Sequence, residues 1–294
     1  MPLVAALAAS HAPNILLDPG TEWEEFMKLH YRMAPQAVAN KPSLEAQVKL
    51  RQDAEKAFGT LRADLEASRP DALIVVANDQ FVNFFFNNIP TFFVTLAEEV
   101  KGKFTRYAFA YRNHRELGRA ILKAGLEKGI DFSFGEHIEL QHTQIVPLRF
   151  LLPEPTIPIL PIYVNTWVDP IPTPRRCYQV GELIREVAAQ RAERVAILAT
   201  GGLSHFPGSP RIGEIDTGFD HKLLEIMREG KGRELADYSL EELLKAGDSE
   251  FLNWMVVLGT VGSARAETTL YMPDHVATGW GFASWKLSAV SRDA

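Results

Sequence analysis

The sequence predicts an α/β fold, with a central sheet that is mainly parallel or mixed and helices on both its faces. Three observations predict it. Apolar runs of strand length recur without polar alternation, as in Leu73-Ile74-Val75-Val76-Ala77 and Val195-Ala196-Ile197-Leu198-Ala199, which suits strands covered on both faces. Amphipathic stretches of helical period lie between such runs. Three of the strand-like runs also stop abruptly in polar residues, and in open α/β sheets the carboxyl ends of strands face the crevice where ligands bind.

The elements follow in order. Residues 2–9 form the first strand, which ends in Ser10-His11-Ala12-Pro13 and is followed by a loop over 14–20. Ser43 is the N-cap of a long helix in which Leu44, Val48, Ala54, Phe58, Leu61 and Leu65 recur mostly at three- and four-residue steps, ending near Pro70. A strand at 72–77 stops at Asn78-Asp79-Gln80 and leads to another at 91–95. A helix over 115–128, closed by Gly129, precedes a short strand at 131–134. The segment HIELQHTQIVPLRFLL then carries His137 and His142 into a helix-like run. The prolines of 157–164 mark an edge or irregular strand. A helix over 174–191 and a buried strand at 195–200 follow, and that strand ends in Gly201-Gly202-Leu203-Ser204-His205. The remainder is helical over 215–227, 240–245 and 250–258, with strands at 268–272 and 281–287. No repeat, low-complexity tract or long linker divides the chain, so one domain over 1–294 is expected.

Composition narrows the function. A chain of 294 residues buries a full core without disulfide or metal staples, and 46% apolar with 23% charged residues is ordinary for a globular protein. The net charge of −6 and the absence of a basic stretch argue against a nucleic-acid partner. Cys177 is the one cysteine, which excludes an intrachain disulfide and a cysteine-rich zinc site and fits a reducing cytoplasm. The apolar N-terminus has no basic flank, and no run of about 18 apolar residues occurs, so neither a signal peptide nor a membrane span is expected.

His11, the Asn78-Asp79-Gln80 trio and His205 all fall at strand ends, where one crevice could gather them. In TGGLSHF the paired glycines allow a tight turn and a close approach to a ligand. Glu250 lies in the first turn of an apolar helix, with Asp248 or Ser249 as the cap. It reads either as a carboxylate favoured by the helix dipole or, with histidines nearby, as part of a facial triad for non-haem Fe(II). His142 starts a helix. His30, His137 and His221 read as solvated, His114 as a helix-start residue and His275 as part of a turn. No phosphate-binding glycine loop, HExxH or GxSxG occurs, so Ser204 is a poor nucleophile. Phe81, Phe84, Phe85 and Phe86 are core residues or the wall of an aromatic pocket. Arg112, Arg149 and Arg211 are the arginines that could match a ring carboxylate.

Taken together, ASHAP with His11, ND with Gln80, QHTQIVPL with His142, TGGLSHF with His205, GDSEFLNW with Glu250 and the closing GWGFASW resemble the class III extradiol dioxygenases, the LigB-like superfamily, over nearly the whole chain. The resemblance implies a single α/β catalytic-type domain that uses Fe(II) and O2 to open a catechol- or aminophenol-like ring. It makes His11 and Glu250 metal ligands, His205 the acid/base and His142 a residue that orients substrate or oxygen. It also implies a homo-oligomer, with a second kind of subunit in some relatives. At the third metal position the family writes histidine and this chain has Gln80, whose amide oxygen is uncharged and harder than imidazole nitrogen. Three readings stay open. Iron binds through His11, Gln80 and Glu250, with Asp79 or water helping; the site runs altered, metal-independent chemistry on a phenolic substrate; or the chain is a non-catalytic subunit or binding protein.

Overall fold

The computed structural model describes residues 3–33, 42–274 and 278–287. Its elements run β1 (Leu3–Ala9), α1 (Thr21–Met33), α2 (Leu44–Ser68), β2 (Ala72–Ala77), β3 (Phe92–Thr95), β4 (Glu99–Phe104), β5 (Tyr107–Arg112), α3 (Arg115–Glu127), β6 (Ser133–Gly135), β7 (Glu139–Leu140), α4 (His142–Leu151), β8 (Ile159–Val164), α5 (Pro174–Ala189), β9 (Val195–Thr200), α6 (Thr217–Arg228), α7 (Leu240–Ala246), α8 (Phe251–Val261), β10 (Thr268–Pro273) and β11 (Gly279–Lys286). Pro2, at the start of the expected first strand, and His275 lie outside the described residues.

Eight strands form one sheet in the order β10-β11-β1-β9-β2-β8-β3-β6. The middle four, β1, β9, β2 and β8, are parallel, whereas β11 and β3 pair antiparallel with β1 and β8. The sheet is therefore mixed, and its apolar central strands are covered on both faces as expected. The two-residue period of a strand divides β1 between the layers. Ala6 and Ala8 join a core with α5 and α8, while Ala5, Leu7 and Ala9 join one with α2 and α4.

Ser43 caps α2 as predicted, its Oγ accepting from the Ala46 N–H at 3.2 Å. Ala54, Phe58, Leu61 and Leu65 are buried, but Leu44 and Val48, in the first two turns, are 58% and 38% exposed. On the other face α5 and α8 meet backbone to backbone. A Cβ on Gly181 would stand 2.0 Å from the Val256 carbonyl oxygen, and one on Gly259 would stand 2.0 Å from that of Tyr178.

Two expectations need correction. Residues 159–164 are no edge strand, because β8 lies inside the sheet between β2 and β3 with every residue buried. Pro161 is tolerated there because β3 pairs only with Ile162 to Val164, so that flank needs no N–H from residue 161. The helix expected from residue 215 begins at Thr217, after an Asp216 cap whose side chain accepts from the Phe219 N–H. Helix α1 and the small sheet β5-β4-β7 were not predicted. The two-residue period of the hairpin is nonetheless present in the sequence, with Glu99, Lys101 and Lys103 alternating with Val100, Gly102 and Phe104, and Tyr107, Phe109 and Tyr111 alternating with Ala108 and Ala110.

Candidate active site

Because β1, β9 and β2 are adjacent and parallel, the residues that follow them emerge side by side. His11 follows β1, Gly201 to His205 follow β9, and Asn78 to Gln80 follow β2. Glu250 enters from the start of α8 and His142 from the start of α4. All five predicted site residues, His11, Gln80, His142, His205 and Glu250, line one cavity of about 90 Å³.

Glu250 is the N-cap of α8, so neither Asp248 nor Ser249 caps that helix, and its own side chain makes no capping bond. The carboxylate is fully buried. Its Oε1 accepts from Asn78 Nδ2 at 3.0 Å and from Gln80 Nε2 at 3.2 Å, and its Oε2 accepts from the Gly202 N–H at 2.9 Å. His11 Nε2 lies 3.1 Å and His205 Nε2 lies 3.4 Å from the same Oε2. The turn that delivers Gly202 needs glycine. Gly201 has φ +142, and a Cβ on it would come within 3.0 Å of Glu250 Cβ.

The tautomers follow from the partners. His205 Nδ1 stands 2.8 Å from the Leu203 carbonyl, which can only accept, so that nitrogen carries hydrogen. A contact between Nε2 and Glu250 then requires a proton or another cation between them. The same holds for His11, whose Nδ1 meets Thr200 Oγ1 at 3.1 Å, when that nitrogen donates. Two imidazole nitrogens facing one buried carboxylate thus define a site built around positive charge.

Burial works to raise the Glu250 pKa, but the charges of His11 and His205 and their hydrogen bonds outweigh it and hold the carboxyl well below its ordinary range. Burial works to lower His205, and the Glu250 charge and hydrogen bond reverse this, so its pKa is raised. His142 packs edge-on to His11 at 5.6 Å and beside Phe104 at 5.5 Å. Burial, then the His11 charge, lowers it to about 3 against the pull of Glu250, which leaves a neutral imidazole.

Asp79 does not reach toward the carboxylate. It closes its own loop, accepting from the Val82, Asn83 and Phe84 N–H groups at 3.0–3.2 Å and from Gln141 Nε2 at 2.7 Å. Gln141 Oε1 in turn accepts the Gln80 N–H at 3.1 Å, tying the β2 end to the start of α4. Among the described residues no three His, Cys, Asp or Glu side chains form a ready metal cage. Beside His11, the Asn78 amide, the Gln80 amide and His205 Nε2 all stand within 3.4 Å of the Glu250 carboxylate.

Several supports were not legible in the sequence. Asn253 Nδ2 donates to the Thr200 carbonyl at 2.8 Å and Trp254 Nε1 to that of Gly201 at 3.2 Å, stitching α8 to the β9 end. Asp220 accepts the Ser204 N–H at 3.0 Å and hydroxyl at 2.8 Å and also bonds the Tyr271 hydroxyl, which fixes the turn before His205. Behind it, burial and then the charge of Asp220 push the Asp248 carboxyl well up. The available signal was the polar pair Asn253-Trp254 inside an otherwise apolar helix.

Other candidates fall elsewhere. Phe81, Phe85 and Phe86 are 40%, 52% and 82% exposed, so they are neither core nor walls of this cavity, while Phe84 packs on Phe93 and Tyr163. Arg112, Arg149 and Arg211 do not line it. His114 caps α3 as expected, and His137 and His221 are exposed.

Residues 5–281 match the family described as the catalytic LigB subunit of aromatic ring-opening dioxygenase, and the chain belongs to that family. It is 30% identical over 175 residues, 59% of this chain and 54% of the relative, to 2,3-dihydroxyphenylpropionate/2,3-dihydroxicinnamic acid 1,2-dioxygenase 2 of Pseudomonas putida. It is 29% identical over 179 residues, 60% of this chain and 55% of the relative, to the corresponding enzyme of Escherichia coli (strain K12 / DH10B). The chain thus spans about half the length of the curated relatives it matches. An uncharacterized protein from Escherichia coli K12 shares the fold, with a TM-score of 0.57 at 12% identity over 96% of this chain and 99% of that one. No helix among the described residues is long and apolar enough to cross a membrane.

Proposed function

We propose that this chain, as one catalytic-type domain over 1–294, is a ferrous-iron-dependent extradiol-type dioxygenase opening a catechol- or aminophenol-like ring. The observation that carries the reading is the pair of imidazole nitrogens, on His11 and His205, turned to one buried carboxylate in a single cavity. That donor chemistry fits a divalent metal. His11 Nε2 and Glu250 would hold it, and Gln80 would offer its amide oxygen after rotation of the amide, whose two ends are alike in shape. Ferrous iron bound there supplies the electron exchange that lets O2 react with an aromatic ring.

The chain's own residues do the rest. With Nδ1 pinned to the Leu203 carbonyl, His205 exchanges protons through Nε2, placed to take the proton of a substrate hydroxyl and later return it. His142, kept neutral by burial, orients the ring or O2 by hydrogen bonding. Phe26, Pro207 and Ile212 wall the cavity and exclude water around an aromatic substrate.

A second reading, acid–base chemistry on a phenol without iron, draws on the Gln80 amide that donates to Glu250, where a third ligand would otherwise face the metal. Anaerobic Fe(II) loading separates the two, with metal content and O2 uptake measured on the natural protein and on Gln80→His against catechols, gallates and aminophenols. Stoichiometric iron and O2 uptake by the natural protein supports ring cleavage. Uptake by the variant alone rejects it for this chain and favours the second reading.

A further inference from the structure

We propose that His205, in place of Gln80, is the third protein ligand of the metal in the substrate-free site, and that it yields this position when a substrate hydroxyl arrives. The inference deepens the dioxygenase reading and rests on it for the metal and the diol.

The lone pairs of Glu250 carry the argument. Each carboxylate oxygen offers about two acceptor sites. Those of Oε1 receive the Asn78 and Gln80 amides at 3.0 and 3.2 Å, and one of those on Oε2 receives the Gly202 N–H at 2.9 Å. His11 Nε2 stands 3.2 Å from Oε1 and 3.1 Å from Oε2, and His205 Nε2 stands 3.4 Å from the same Oε2. One remaining lone pair cannot answer two rings, whereas a cation beside it receives all three donors. Two ligands held about 2.1 Å from a metal and a right angle apart are separated by about 3.0 Å. The separations of 3.1 and 3.4 Å are thus close to those of neighbouring ligands on one ion. The set is two histidines and a carboxylate, the facial arrangement that leaves positions open on non-haem Fe(II). The three side chains are not yet a cage, since both nitrogens are drawn onto the oxygen and each ring must turn to aim its lone pair at the cation.

His205 has the support a metal-bound histidine takes. Its Nδ1 gives its hydrogen to the Leu203 carbonyl at 2.8 Å, which leaves the lone pair of the neutral ring on Nε2. Gln80 is placed the other way. Its Nε2 donates to Glu250 Oε1, and turning the amide over sets its oxygen against the carboxylate and forfeits that bond. Gln80 therefore orients Glu250, and His205 supplies the nitrogen. When a substrate hydroxyl takes the position, its oxygen replaces Nε2 on the metal, its O–H bond breaks and the proton forms a bond to Nε2. Ligand and proton acceptor are then one residue at successive moments.

The test uses Co(II), a paramagnetic stand-in for Fe(II), bound to the natural protein without oxygen. In the proton NMR spectrum each histidine bound through Nε2 shows its Nδ1–H as a strongly shifted signal that is lost on exchange into D2O. Two such signals are expected, from His11 and His205, and a single one overturns the inference. His205→Gln is expected to remove one of the two and to weaken Fe(II) binding by more than about 100-fold in competition with a chelator, whereas Gln80→Leu weakens it by no more than about tenfold. The reverse order of the two variants overturns the inference. Catechol added without oxygen should shift the His11 signal and remove that of His205; a shift with both signals kept overturns the exchange. Two signals that ignore catechol, with no O2 uptake by the iron form, sustain His205 as a ligand and remove ring cleavage.

Discussion

Thr200 illustrates how much of the site is set one bond away from its reacting groups. Its hydroxyl holds His11 Nδ1 at 3.1 Å, which fixes the ring's orientation and the nitrogen it presents to Glu250. Removing such a partner typically weakens metal binding 10- to 100-fold. Thr200→Val is accordingly expected to lower Fe(II) affinity by about that factor, read by anaerobic competition with a chelator. His11, Gln80 and His205 were legible because polar residues at the ends of apolar strands are conspicuous. Thr200 was not, because it reads as the last residue of a strand and its partner lies 189 positions away. Asp248 supports a second prediction. Its carboxyl keeps a proton in the fold well above the ordinary range, whereas the unfolded chain releases that proton near pH 4. The folded state thus binds more protons, and this group's contribution to stability falls as pH rises above about 4 until the folded carboxyl itself ionises. Asp248→Asn lacks that loss, so its thermal midpoint should gain on the natural protein's as pH rises above about 5. A gap independent of pH would show that the buried carboxyl is ionised throughout.

Among the elements, the α5–α8 crossing tolerates the least change. With the Gly181 and Gly259 backbones in contact, a methyl group on either has no space, and overpacking of this kind costs about 3 kcal/mol. Gly259→Ala should lower the urea midpoint accordingly without altering the slope of the transition, whereas Gly59→Ala, on an open face inside α2, should raise it slightly through the better helix propensity of alanine. The strands at 72–77 and 195–200 and the stripe of α2 were legible because each buries what its period promises. The place of β8 was not, because Pro161 signals an edge and only the length of β3 shows why the interior accepts it. Helix α1 escaped for a related reason, since its buried Trp23 and Met27 sit among acidic and basic residues that blur the apolar stripe.

At the scale of the molecule, one sheet carries the stability and its carboxyl edge carries the site. Amide exchange should follow that division. The interior strands β1, β9, β2 and β8 are expected to exchange last, and β4 and β5, whose outward residues are exposed, first among the strands. Comparable protection in both sets would show that the small sheet unfolds only with the large one. Strand β1 is made first, yet its neighbours are β9, from Val195, and β11, from Gly279. During synthesis at about 5–20 residues per second, this apolar segment waits roughly 10–40 s for a partner. Until then the ribosome holds out an unpaired strand, LVAALAA, and the nascent chain depends on chaperones or on temporary burial against α2 to keep it from pairing with a neighbouring polypeptide.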